Sequence, residues 1–291
     1  MKIGFSSYSF AGAMTDGRLD LAGVVDWAAQ HGASHLEIAE AGLPEPLTVE
    51  SARALRAAAE AAGLPIINYV VAADFRGTEP AAEVDRIRGQ LDIAQALGAQ
   101  FFRHDVVEWA WREASQAELE SVLATIVPAC QQIADYAAGL GITTSVENHG
   151  FFMNHSERIA RLLHLVDRDN FKTTLDVGNF LCVDDSPYAA VAKLAPNASV
   201  VHLKDFFIRE NFPGEGWLET VAGNFLQGSV LGFGDLDLAR ILWTAKEAGF
   251  DGFLSIEYEG AQDCLVACEL ALANARRLVA ELEADVAGVP A

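Results

Sequence analysis

Apolar residues recur along this chain with two periods, and the two periods take turns. Short runs rich in β-branched and aromatic residues give way to longer stretches with apolar positions three or four apart, the pattern of repeated strand–helix units. A first strand is expected over residues 2–10 and a first helix over 19–30, where Leu21, Val24, Val25 and Ala28 form one face. The second unit joins 35–40 to an Ala-rich helix at 49–62, which exits at Gly63 with Pro65 just beyond. The third joins 65–73 to 81–97, and the fourth joins 100–106 to 116–140. The second half repeats the scheme: 143–148 with 156–166, 172–177 with 187–194, 200–205 with 236–248, and 252–258 with 262–282.

Eight such units in 291 residues leave no stretch for an interdomain linker. Closing the parallel sheet removes both edges and covers each strand with a helix, so the expected fold is α/β, a (β/α)8 TIM barrel, as a single domain over 1–291. One connection is oversized. Residues 206–234 are rich in Gly, Asn and Phe and are expected to be irregular, serving either as a substrate lid or as a surface excursion or subunit contact.

Charge narrows the partners. With 20 basic and 41 acidic residues the net charge is −21, a field that repels a nucleic-acid backbone unless a basic patch reverses it, and no such patch is present in the sequence. A small anion is still admissible where a bound cation dominates its own pocket. The four cysteines form no CxxC pair, and the opening MKIGFSSYSF has neither the basic region nor the apolar core of a secretory signal, so a cytoplasmic setting is expected. Gly or polar residues break every apolar run before membrane-spanning length.

In this architecture chemistry sits at the C-terminal ends of the strands. Four consecutive ends carry groups competent to bind metal: Glu147-Asn148-His149, Asp176-Val-Gly-Asn179, His202-Leu-Lys204-Asp205 and Glu257-Tyr258-Glu259. A lone strand-end glutamate is more often a salt-bridge partner or a helix cap. Two glutamates, an aspartate and a histidine together make an O3N shell suited to one divalent cation, Mn2+, Mg2+ or Co2+, with positions left for substrate oxygens.

The segments SVENHG, LDVGN, VHLKD and GFGDLDLARILWTAKEAGFDGFLSIEYEG make nearly the whole chain resemble the xylose isomerase-like TIM barrel superfamily. That sugar phosphate isomerase/epimerase group includes endonuclease IV, inosose dehydratases and ketose 3-epimerases. The resemblance implies that Glu147, Asp176, His202 and Glu257 hold the catalytic cation, and that Glu147 and Glu257 are the acid/base pair of the ketose epimerase branch. The implied reaction is isomerisation or epimerisation of a ketose or related polyhydroxylated carbonyl compound through an enediolate. The alternative is a lyase on the same scaffold, an inosose or keto-sugar dehydratase or an eliminating deglycosidase.

Departures from the relatives matter too. Asn179 stands where endonuclease IV and many ketose epimerases resemble one another in carrying histidine, and the segment around Asp235 and Asp237 has no histidine, so a three-metal cluster is not expected. Arg209 matches the epimerase arginine only loosely. Lys204 is expected either to contact substrate or to pair with a neighbouring acid. His104, in Arg103-His104-Asp105, is expected to bind substrate, to orient Glu147, or simply to pack; Asn148 and His149 are expected at the mouth. Aromatics at Trp109, Trp111, Phe151, Phe152, Phe206, Phe207 and Trp217 are expected to wall a carbohydrate or a larger aglycone, or to seal a homo-oligomer interface. Cys264 and Cys268 share a helix face and read as small core residues.

Overall fold

The alternation of periods becomes an alternation of elements. In the computed structural model, which describes residues 1–77, 79–113 and 115–288, eight parallel strands close into a barrel. They are β1 (Lys2–Ser6), β2 (Leu36–Ala39), β3 (Ile66–Val71), β4 (Phe101–His104), β5 (Thr143–Glu147), β6 (Phe171–Asp176), β7 (Ala198–Leu203) and β11 (Phe253–Ile256). The order around the wall is β1-β11-β7-β6-β5-β4-β3-β2, and β1 pairs with β2 to complete the ring. Residues 289–291 of the expected domain lie outside the described residues.

Helices α1 (Ala11–Thr15), α2 (Leu21–Gln30), α3 (Val49–Ala61), α4 (Pro80–Leu97), α5 (Gln116–Leu140), α6 (Ser156–Val166), α7 (Pro187–Leu194), α8 (Leu238–Glu247) and α9 (Cys264–Gly288) cover the strands. Their ends obey local chemistry. The Asp20 carboxylate accepts from the Gly23 N–H at 2.7 Å to start α2, and Ser115 accepts from Glu118 N–H at 3.1 Å to start α5; each such cap contributes about 1 kcal/mol. At the far end of α5, Gly141 takes the left-handed φ of 73° that terminates the helix. The predicted face of α2 is buried through Val24, Val25 and Ala28. No described helix is long and apolar enough to cross a membrane.

Two segments differ from expectation. The first strand stops at Ser6, and Ser7–Phe10 form a 3-10 turn capped by the Ser6 hydroxyl. This turn buries Phe10, packed edge-on against Phe5 and Trp27. The 206–234 connection is also not irregular. Its chain, with Asp205, builds an antiparallel sheet of β8 (Asp205–Arg209), β9 (Leu218–Glu219) and β10 (Phe225–Ser229), in the order β8-β10-β9. Asp205 anchors this sheet: its carboxylate accepts backbone N–H bonds from Gly232, Gly234, Leu236 and Phe206.

Candidate metal centre and the cavity above it

Because side chains alternate along each strand, the last residues of neighbouring strands bring their inward groups to one level. Glu147 ends β5, Asp176 ends β6, His202 is next to last in β7, and Glu257 directly follows β11; His202 lies opposite Asp176 in register and opposite Ser255 on the other side. One donor atom from each of the four lies within 4.8 Å of the others. His202 Nδ1 is 3.6 Å from Glu257 Oε2, 3.8 Å from Glu147 Oε1 and 4.0 Å from Asp176 Oδ2. The cluster proposed from sequence is therefore brought together. Among the described residues it is the one group of this kind found.

The donor chemistry fits a divalent cation. His202 Nδ1 and Asp176 Oδ2 are buried without a hydrogen-bond partner, a cost that a cation between them would remove. The other edge of the imidazole is held: Nε2 lies 3.2 Å from the carboxylate of fully buried Glu37 on β2. Donation from Nε2–H to Glu37 leaves the Nδ1 lone pair facing the cluster, the arrangement by which a carboxylate fixes the tautomer of a ligating histidine. Glu37 in turn accepts from Asn68 Nδ2 on β3.

Two buried cations balance the acids. Arg103 Nε sits 2.7 Å from Glu147 Oε2, and its NH2 group 2.9 Å from Asp105 Oδ1. Lys204 Nζ reaches Glu257 at 2.9 Å and Asp176 and Glu259 at 3.3 Å each. Burial pushes the Glu147 carboxyl up, but Arg103 and His202 outweigh it and bring its pKa to about 2. Burial likewise raises Glu257, and Lys204 and His202 reverse the shift and hold it well below its usual range. At Asp176 burial prevails over Lys204, raising the pKa to about 6.

The other predicted residues fall in different places. Asn179 and Lys204 are at the site: Asn179 donates to Glu147 Oε1 at 2.9 Å and accepts from Lys204 at 3.3 Å. His149 lines the cavity and pairs with Asp105 at 3.1 Å. Asn148 is fully buried and does not line the cavity. Its side chain accepts from Asp176 N–H and donates to Asp176 C=O, both at 2.9 Å, so it sets the backbone from which that carboxylate projects.

His104 and Arg209 lie apart from the site. His104 is sealed among Phe75, Phe102 and Phe171, its Nδ1 bonded to the Asp105 carbonyl. It neither lines the cavity nor touches Glu147; Arg103 makes that contact instead. Arg209 is exposed on β8 and pairs with Asp235, because the strand carries it out along the added sheet. Sequence reading missed Glu37 and the pairing role of Arg103. A glutamate inside the apolar run 36–39 was the available sign for the first, since buried carboxylates need a partner.

Above the donors opens a cavity of about 540 Å3. Arg103, Glu147, Lys204 and Glu257 contribute to its charged part, while Val70, Trp109, Phe151, Phe206 and Leu218 contribute apolar surface. Of the expected aromatic wall, Trp109, Phe151 and Phe206 are there. Trp111 stacks instead against Phe152 and under Arg76, and Phe207 and Trp217 lie near Arg209.

Solved structures share this architecture at low sequence identity. An L-ribulose 3-epimerase superposes with a TM-score of 0.76 at 15% identity, over 99% of this chain and 98% of its own. A xylose isomerase-like TIM barrel protein from Mycobacterium smegmatis, in complex with magnesium, gives 0.73 at 16% identity, over 97% of both chains. A probable 3-DHS dehydratase from Bacillus anthracis gives 0.69 at 17%, over 94% of this chain and 99% of its own. No curated protein matches the sequence. The family described as xylose isomerase-like TIM barrel matches residues 25–283, and the chain belongs to that family.

Proposed function

We propose that this protein is a divalent-metal-dependent isomerase or epimerase acting on a ketose or related polyhydroxylated carbonyl compound. The observation that carries this reading is the convergence of Glu147, Asp176, His202 and Glu257 donors, two of them buried atoms without a hydrogen-bond partner, beneath a cavity of molecular size that Glu147 and Glu257 line. Magnesium bound to the similar Mycobacterium smegmatis protein and the epimerase activity named for another structural neighbour support it. A divalent cation held there supplies Lewis acidity toward neighbouring carbonyl and hydroxyl oxygens of the substrate.

Glu147 and Glu257 do the proton work. They stand on β5 and β11, with β6 and β7 between them around the wall, so they reach the substrate from different directions. Both are ionised at neutral pH, and either can take the proton from the carbon next to the carbonyl, giving an enediolate. Return from the other carboxylate, after it has taken a proton from solvent, inverts the centre; return by the first carboxylate to the adjacent carbon isomerises. Lys204, touching Glu257 and Asn179, holds Glu257 in place and presents its ammonium to the substrate oxygens. Arg103 fixes Glu147.

The test is solvent exchange. With Mg2+ and a panel of ketoses in D2O, mass spectrometry should find deuterium in a product of otherwise unchanged formula. Chelation should stop exchange, and Glu257→Gln should slow it at least 100-fold, the scale of a lost acid/base group. Exchange that survives both treatments would sink the proposal, and loss of water from the product would redirect it to the lyase reading, for which the structural likeness to a dehydratase is the ground.

A further inference from the structure

The cavity is larger and more apolar than a free monosaccharide requires. It holds about 540 Å3, whereas a hexose fills roughly 200 Å3 at condensed-phase packing density. Part of its apolar lining also lies beyond the strand ends. The charged residues come from strand ends. Trp109, Phe151 and Leu218 come from the segments beyond β4 and β5 and from β9, further out along the barrel axis.

The apolar side is held by its own packing. Phe151, Cys182, Phe206 and Leu226 form a buried cluster of their own, separate from the barrel core, that ties the loops after β5 and β6 to the added sheet. Gly150, at φ 68°, leaves no room for a side chain against the Trp109 carbonyl, and Phe151 N–H donates to that carbonyl at 3.1 Å. Arg112 covers the Phe151 ring, its guanidinium carbon 3.5 Å from the centroid. Trp109 nevertheless remains 49% exposed beside the cavity, its ring centroid 6.1 Å from that of Phe151. Fixed backbone, a pinned neighbouring ring and an open indole together make a surface shaped for a flat partner.

We propose that the substrate is a polyhydroxylated carbonyl compound carrying a flat apolar substituent, the polyol over the metal donors and the substituent against Trp109, Phe151 and Leu218. The polyol half rests on the metal-centre reading; the substituent half rests on the wall alone. No bond to the substituent need change: the wall recognises it and places the polyol.

Two probes that share a carbonyl-bearing polyol and differ in one group test this: the 3-keto derivatives of 4-nitrophenyl β-D-glucopyranoside and methyl β-D-glucopyranoside, titrated by calorimetry into the Mg2+-loaded protein. The nitrophenyl probe should bind at least tenfold more tightly. Trp109→Ala and Leu218→Ser, both at positions outside the barrel core, should bring the two probes within about threefold of each other at an unchanged melting temperature. Equal affinities in the unaltered protein, no binding of either probe, or a preference that survives both variants would overturn the proposal. Mg2+ titration of the same samples separates the two readings. A protein that binds the ion without preferring the nitrophenyl probe refutes the wall alone. One that prefers that probe but binds no ion refutes the metal centre and leaves the wall standing.

Discussion

The first four strands and the last four are copies of one unit, yet their rims carry opposite chemistry. β5, β6, β7 and β11 bring Glu147, Asp176, His202 and Glu257 to the mouth, whereas β2 and β3 end in Ala39, Val70 and Val71, small apolar residues that line the cavity. The acidic half cannot stand alone. Lys204 neutralises part of it from within, but Arg103 comes from β4 and Glu37 from β2, so the apolar half supplies the groups that hold Glu147 and His202 in place. The repeat sets where a side chain can point, and what it does there depends on the strands across the barrel.

The sharpest way to break this division is to remove the cation that crosses it. Arg103 is 5% exposed and pairs with Glu147 and Asp105. Arg103→Ala strands two carboxylates where water is scarce, and breaking a buried pair costs about 3–5 kcal/mol. Urea unfolding of chelated protein should show that loss. Arg103→Met combined with Glu147→Leu should recover at least half of it, since one stranded charge is then gone. A loss under about 1 kcal/mol from Arg103→Ala would mean that solvent reaches the carboxylates and the two halves are not coupled through this residue.

Buried imidazoles sharpen the same contrast. His202, among acids, is raised well above its ordinary range: burial lowers it, but Glu37, Glu257 and Glu147 overcome that. His104, in the first half and packed against three phenylalanines, is lowered to about 4, with burial the leading cause. The folded pKa of His104 lies below the unfolded value, so its neutral form favours folding above pH ~6.5, and that advantage drains away as pH falls toward about 4. Over the window between pH ~6.5 and about 4 the loss is about 3 kcal/mol, at 1.36 kcal/mol for each tenfold change in proton concentration. Unfolding free energies of the parent protein and His104→Asn, measured from pH 7 to 4, should converge by about that amount. Parallel curves would show that His104 does not titrate on unfolding.

What was legible in sequence follows the same line between local and cross-barrel information. The eight units and the four donors could be read because periodicity and strand ends are local properties, and the donors lie on neighbouring strands, near the last apolar residue of each. The sheet in 206–234 was read as irregular because β9 is two residues long and β10 contains Gly228, too little alternation to register as strand. Arg209 was matched only loosely, by resemblance, to the epimerase arginine, and β8 directs it outward to Asp235. His104 was weighed as a site residue because it ends a strand; its aromatic enclosure comes from β6 and the β3–α4 segment as well as its own strand, and no window around residue 104 contains all of that. Glu37 was visible as an anomaly, but its partner is 165 residues away.

Glu37 therefore gives the finest test of the comparison, because it belongs to the apolar half by sequence and to the metal centre by contact. If its charge orients His202 and raises the basicity of Nδ1, Glu37→Gln keeps the size of the side chain and an acceptor oxygen while removing the charge, and should weaken Mg2+ or Mn2+ binding by about 10- to 100-fold. Calorimetric titration measures this directly, with circular dichroism to confirm an intact barrel. Glu37→Ala, which removes the acceptor as well, should weaken binding further than Glu37→Gln. An effect below threefold in both variants would mean that packing alone orients the imidazole, and the apolar half would then control Glu147 through Arg103 but not His202.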